Sequence, residues 1–330
     1  MKKSILGLAA LALLASCNND EDIQLADKAV IGFNGVFVEN STRANDLTSS
    51  NIADFGVYGS LTKGGNSGLI FEDTRVYKNG DSFQYGDGDR YWVTSANYDF
   101  VAIAPYEGKQ WEYNVVNNVA DNGTITFNNQ RAGANQDLLF ASAERSTADG
   151  ISGDKVKFTF NHMLSRVWFT FQNEFNAGSK ITLKVTDVTI ADAHSMGTLV
   201  VKNGAVGATW TVTPNSDANF TKVFGDAGTE ALTENGGTAA TQHFYLIPTK
   251  GTYDVTFNVE LRQAGVSLQT YKHKTKVTLD MAKGCSYNII AKLNQNNVTG
   301  DPNEDLQKIE FDVETVKAWT NAPDPQLPIN

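Results

Sequence analysis

Apolar residues recur along this chain in short alternating runs. Val156, Phe158 and Phe160 alternate with Lys157 and Thr159, and Val255, Phe257, Val259 and Leu261 alternate with Thr256, Asn258 and Glu260. Period-two alternation marks a strand with one face in a core. Runs rich in Val, Ile, Phe, Tyr and Thr predict strands at 30–38, 55–58, 100–104, 124–127, 156–160, 167–172, 181–190, 198–202, 208–213, 244–247 and 253–262. Asn79-Gly80, Asn122-Gly123, Asn203-Gly204 and Asn235-Gly236 punctuate them, a dipeptide suited to the positive φ angles of tight hairpins. No window carries a long apolar period of 3.6 residues. Segments 147–154 and 294–305 are small, polar and rich in Gly or Asn, and set the expected boundaries. The fold class expected is all-β, with two sandwiches in tandem and a C-terminal appendage.

Composition agrees with that pattern. Of 330 residues, 41% are hydrophobic and 19% charged, against roughly 25% charged in an average soluble protein. Surface polarity must come from Asn, Thr, Ser and Gly, which suits strands and turns. The net charge of −10 and the lack of a long basic run exclude nucleic acid as a partner.

The amino end changes the picture. Met1-Lys2-Lys3 precedes an apolar run from Ile5 to Leu14, too short to span a bilayer but right for a secretory leader. Leu14-Ala15-Ser16-Cys17 resembles a bacterial lipobox, in which Cys17 becomes the acylated first residue; the alternative is an ordinary cleavage site that lies before a Cys. Residues 1–16 are then a signal peptide and 17–29 a lipidated tether on the outer membrane. The acidic Asp20-Glu21-Asp22 resembles the tag that sends lipoproteins to the outer face in Bacteroides-type bacteria; a plain solvated tether reads the same way. Cys285 is left without a partner for a bridge.

Candidate chemistry is sparse. His162, His194, His243 and His273 form no metal-binding spacing, and no metal or cofactor is expected. Gly80-Asp81-Ser82 is weakly similar to a hydrolase motif, but Asn79-Gly80 makes it a turn. Gly86-Asp87-Gly88-Asp89 lacks the ligand ladder of a calcium loop. Lys272, Lys274 and Lys276 fall on one strand face, with His273, Thr275 and Val277 opposite, as a charged outer face that discourages edge pairing. Trp92, Trp168, Trp210 and Trp319 read as fillers of cores or grooves. The chain is not expected to be an enzyme.

Several segments together resemble the fimbrillin family, the Mfa-like subunits of type V pili. Ile31-Gly32-Phe33 through Thr42-Arg43-Ala44 resembles its first strand and Thr-Arg-Ala site. Phe55-Gly56-Val57-Tyr58, Tyr91-Trp92 with Tyr98-Asp99-Phe100 and Pro105, and Asp137-Leu138-Leu139-Phe140-Ala141 follow in the family's order. His162-Met163-Leu164-Ser165-Arg166, Gly284, Tyr287 and Ile289 come next, then Ile309, Phe311, Val316 and Trp319.

The resemblance implies transthyretin-like sandwiches at 30–150 and 151–293, with an appendage at 294–330. It implies a surface lipoprotein whose first strand, 30–38, is displaced after an arginine-specific protease cuts between Arg43 and Ala44. Ile31, Phe33 and Phe37 would be the buried residues of that strand. The groove would then take a donor strand from another pilin subunit, like or unlike, built on Ile309, Phe311, Val313, Val316 and Trp319. Alternation of Ile309, Phe311 and Val313 with Glu310, Asp312 and Glu314 suits that role, whereas Pro323, Pro325 and Pro328 suit no central strand. The segment reads equally as the last strand of its own domain. The alternative function is a non-polymerised surface lipoprotein: a pilus anchor, a tip adhesin or a glycan-binding module facing a host or bacterial surface ligand.

Overall fold

The computed structural model describes residues 25–38, 47–115, 118–119, 123–128, 135–151, 153–194, 196–202, 204–207, 209–212, 221–299 and 309–316. Its elements run β1 (Leu25–Val30), β2 (Phe33–Val38), β3 (Asp54–Lys63), β4 (Asn66–Asn79), β5 (Ser82–Gln84), β6 (Tyr91–Val93), β7 (Asn97–Ala104), β8 (Trp111–Asn114), β9 (Gly123–Asn128), β10 (Leu139–Ser146) and β11 (Val156–His162). They continue with β12 (Ser165–Asn173), β13 (Ile181–Ala191), β14 (Met196–Lys202), β15 (Ala205–Val206), β16 (Thr211–Val212), β17 (Thr221–Gly225) and β18 (Thr238–Ala240). The last are β19 (Phe244–Leu246), β20 (Lys250–Gln263), β21 (Val266–Asp280), β22 (Ser286–Leu293), the short helix α1 (Gln295–Val298) and β23 (Phe311–Val316). The all-β class is therefore observed. Among the described residues no helix is long and apolar enough to cross a membrane.

The first half is built on a seven-stranded sheet, β2-β11-β10-β7-β3-β4-β5. It curls until its two edges meet, where the Tyr85 hydroxyl just after β5 donates to the Ile31 carbonyl just before β2 at 2.8 Å. Alternation sends Phe55, Val57, Phe100, Ala102, Leu139 and Phe158 into the curl. Tyr58, Val101, Ile103 and Phe140 point to its outer face, where Trp111, Ile125, Phe127, Leu199 and Trp210 cover them. Gly59 is required at the inner face, because a Cβ there would lie 2.9 Å from both the Phe71 and Phe100 rings. The Asn79-Gly80 turn joins β4 to β5 as expected, with Gly80 at φ 61°.

The covering sheet joins strands from both sides of position 150. Its order is β15-β14-β9-β8, with β16 also on β14. It pairs Met196–Lys202 with Gly123–Asn128, Leu199 opposite Ile125. Likewise β11 hydrogen-bonds to β10 and β2 and fills the inner core of the first half. The 150/151 boundary is thus not a boundary between sheets. A polar stretch marks a turn in the chain, whereas sheet membership follows pairing partners far away in sequence.

The second half is a sandwich of β18-β12-β22-β23, with β19 also on β12, against β17-β13-β20-β21. Val167, Phe169, Phe171, Val185, Val255, Phe257 and Ile289 fill it. On β21 the expected division holds: Lys272, Lys274 and Lys276 are exposed, and His273, Thr275 and Val277 are buried. Trp92, Trp168 and Trp210 are buried fillers, at 3%, 8% and 5% exposed. Cys285 is a half-buried free thiol just before β22.

Candidate functional site: the first-strand groove and the appendage

The predicted strand 30–38 is two strands. β1 pairs antiparallel with β6, Val30 opposite Tyr91. β2 pairs parallel with β11, Phe33 opposite Val156 and Val38 opposite Phe160. The break falls at Ile31-Gly32, where the backbone is shared among three partners. Ile31 N–H donates to the Arg90 carbonyl at 2.7 Å, Val156 N–H donates to the Gly32 carbonyl at 2.8 Å, and Tyr85 donates to the Ile31 carbonyl. Burial pushes the Tyr85 phenol above its ordinary pKa, which keeps the proton that it donates.

Side-chain placement decides what the strand contributes. Ile31 and Phe33 are buried, at 0% and 1% exposed, as the sequence predicts. Phe33 lies among Phe71, Tyr85, Phe100 and Phe158, with ring centroids 5.3, 5.8, 6.1 and 5.8 Å away. Phe37 does not follow. It is 57% exposed, and Val30 is 39% exposed. The cause is a bulge: from Val156 to Phe158, β11 advances two residues while β2 advances three, from Phe33 to Val36. One extra residue reverses the alternation, so Val38 is buried at 3% in place of Phe37.

Two groups are brought together here that strand patterning did not single out as part of the site. Tyr85 closes the curl, and the Arg90 guanidinium lies 5.1 Å over Phe71 and 5.7 Å over Tyr85. The aromatic Phe83-Gln84-Tyr85 after a turn was their one local signal. At the far end, Val38 N–H donates to Ser49 Oγ at 2.8 Å. Cys17, Arg43 and Ala44 lie outside the described residues.

The appendage sits on its own sandwich. β23 runs antiparallel to β22, Phe311 opposite Ala291 and Val316 opposite Ser286. Ile309 is 4% exposed, and its carbonyl accepts from Thr275 Oγ1 at 3.0 Å. Phe311 packs on Phe169 and Phe257, at 5.9 and 6.3 Å. Val313 is 36% exposed; Trp319 lies outside the described residues. Of the two roles open from sequence, last strand of its own domain is the arrangement observed. Among the described residues no group of three or more His, Cys, Asp or Glu could hold a metal ion.

Curled and packed sheets, a closing strand near the amino end and an edge strand near the carboxyl end define an all-β protein of packed sheets. Similar solved folds include a fimbrial protein of Bacteroides vulgatus, with a TM-score of 0.61, 16% identity, and coverage of 88% of this chain and 99% of that one. Another is described as a cell adhesion protein of Bacteroides ovatus, at TM-score 0.51, 17% identity, and 89% and 99% coverage. A protein of Bacteroides uniformis named as fimbrium subunit Fim1C is 27% identical over 236 residues, covering 67% of this chain and 69% of its own length. The fimbrillin-like family model matches residues 42–314. The chain belongs to the fimbrillin-like family.

Proposed function

We propose that this chain is a structural or adhesive subunit of a type V pilus, carried to the cell surface as a lipoprotein through Cys17. In this reading an arginine-specific protease cuts after Arg43 and releases residues 17–43 with the lipid. A strand from another subunit then enters the groove. The observation that supports it is the position of β2: it closes the curl, fills the core with Phe33 and Val38 beside Ile31, and among the described residues pairs in parallel with β11 alone.

Loss of this strand uncovers apolar surface at about 25 cal/mol per Å², together with the unpaired N–H and C=O groups of β11. An incoming strand restores both, which is strand addition to an open edge. The donor is the appendage, with Ile309, Phe311, Val313, Val316 and Trp319 as its apolar positions. It must first leave β22, so exchange trades one core for another, and the gain is the difference. Substituting Arg43→Ala tests the scheme: it should leave a lipidated precursor and abolish high-mass polymers. Normal polymers from that variant would remove cleavage from the mechanism.

A second reading draws on the same appendage. Its Ile309 and Phe311 already serve their own core, as a non-polymerised surface lipoprotein requires: an anchor, a tip adhesin or a glycan-binding module. Such a protein keeps its lipid and first strand.

A further inference from the structure

Two segments of the chain carry one pattern. Ile31-Gly32-Phe33-Asn34 at the first strand and Ile309-Glu310-Phe311-Asp312 in the appendage share Ile-x-Phe, and differ in that two uncharged residues become two acids. Ile31 and Phe33 are buried in the first half, and Ile309 and Phe311 pack in the core of the second. Glu310, Asp312 and Glu314 are exposed. The same apolar spacing thus serves both cores, with acids on the outer side of one strand only.

The strand beside the groove carries the matching charge. On β11, Val156, Phe158 and Phe160 are buried and Lys157 is exposed; Lys155, just before Val156, is exposed too. A Cβ on Gly32 would lie 3.3 Å from Lys155 Cγ, so the lysine stem runs beside the first strand at that position. Phe33 is opposite Val156, which sets Asn34 beside Lys157. Residues 31–38 hold no carboxylate to meet either lysine. On its own sandwich the appendage has little more. Asp312 lies 4.0 Å from Lys292, with both side chains more than half exposed, and such a pair holds the strand only weakly.

Phe311 placed where Phe33 stands, opposite Val156, sets Glu310 beside Lys155 and Asp312 beside Lys157, since adjacent strands lie about 5 Å apart. A donor without the extra residue of β2 then brings Val313 opposite Phe158 and Glu314 opposite Thr159, so that alternation is kept throughout. We propose that the groove takes residues 309–314 of a second copy in this parallel register, and that Lys155 and Lys157 select them through Glu310 and Asp312. The proposal rests on the strand-exchange reading, to which it adds the partner and the register. Charges at the rim of an interface act chiefly on the rate of association and the choice of partner. The lysines therefore favour this donor over the uncharged strand that it replaces.

The test is a charge exchange in the full chain, read as high-mass polymer recovered from the cell surface. Lys155→Glu with Lys157→Glu should lower polymer about tenfold or more, and so should Glu310→Lys with Asp312→Lys. All four substitutions together should return it toward the parent level. Urea midpoints of the precursors check that each variant folds. Lys155→Gln with Lys157→Gln, expected to lower polymer in the same direction, stands in for a lysine variant that does not. Polymer at the parent level from either reversed pair would overturn the proposal and leave strand exchange standing. So would loss in both pairs without recovery in the fourfold variant. A parent chain that forms no polymer would end the strand-exchange reading and this proposal together.

Discussion

Phe33 and Phe158 stack with their centroids 5.8 Å apart and their planes 17° from parallel. One ring belongs to the strand that closes the curl and the other to the strand beside it. With both at 1% exposed, their contact joins the first strand to the core.

That contact and the bulge beyond it make opposite demands on two phenylalanines of one strand. Phe33→Ala should cost about 3–5 kcal/mol by cavity formation and make the first strand an early site of limited proteolysis. Phe37→Ser should change stability by no more than about 0.5 kcal/mol. Urea unfolding of the two variants checks the bulge: equal losses would mean that Phe37 faces inward.

Ile309 and Phe311 belong to the core of their own sandwich. Ile309→Ala should therefore destabilise the monomer by roughly 2–5 kcal/mol, where a purely external donor segment would show no loss. Denaturant midpoints of the isolated monomer read the difference directly.

Burial pulls the His273 imidazole down to about 4, from an ordinary value near 6.5. The ring stacks on Phe257 at 5.2 Å, and its Nε2 has no hydrogen-bond partner among the described residues. The unfolded chain therefore binds a proton in the window where the folded chain does not. Stability from this residue is present in full above pH about 6.5 and is lost as pH falls toward 4, by roughly 3 kcal/mol in all. His273→Gln should flatten that part of the stability profile relative to the parent. Parallel profiles between pH 7 and 4 would show that His273 is not buried neutral.

Asp137 Oδ2 and His162 Nδ1 lie 2.6 Å apart, both side chains 2% exposed, and tie the start of β10 to the end of β11. Asp137→Ala should cost about 1–3 kcal/mol by leaving a buried ring nitrogen without this hydrogen bond, and the double substitution Asp137→Leu with His162→Phe should cost less. Calorimetry of the single and double variants tests the order.

Strands were legible in the sequence wherever local alternation decides burial, as in β11 and β20, and so was the Asn79-Gly80 turn. Three features were not. The reversal at Phe37 arises from an extra residue that Gly35 and Val36 do not announce. The pairing of Leu199 with Ile125 joins segments whose partnership no local pattern encodes. The alternation of Ile309 and Phe311 identifies a strand but not which sheet receives it, because an edge of its own chain and an edge of another offer the same hydrogen bonds.

The most direct measurement is the mature amino-terminus of the protein recovered from the cell surface, by intact mass and terminal peptide. Release of the first strand predicts a chain that begins at Ala44 without lipid. A chain beginning at acylated Cys17, with β2 still attached, would contradict strand exchange and leave the tethered surface protein in its place.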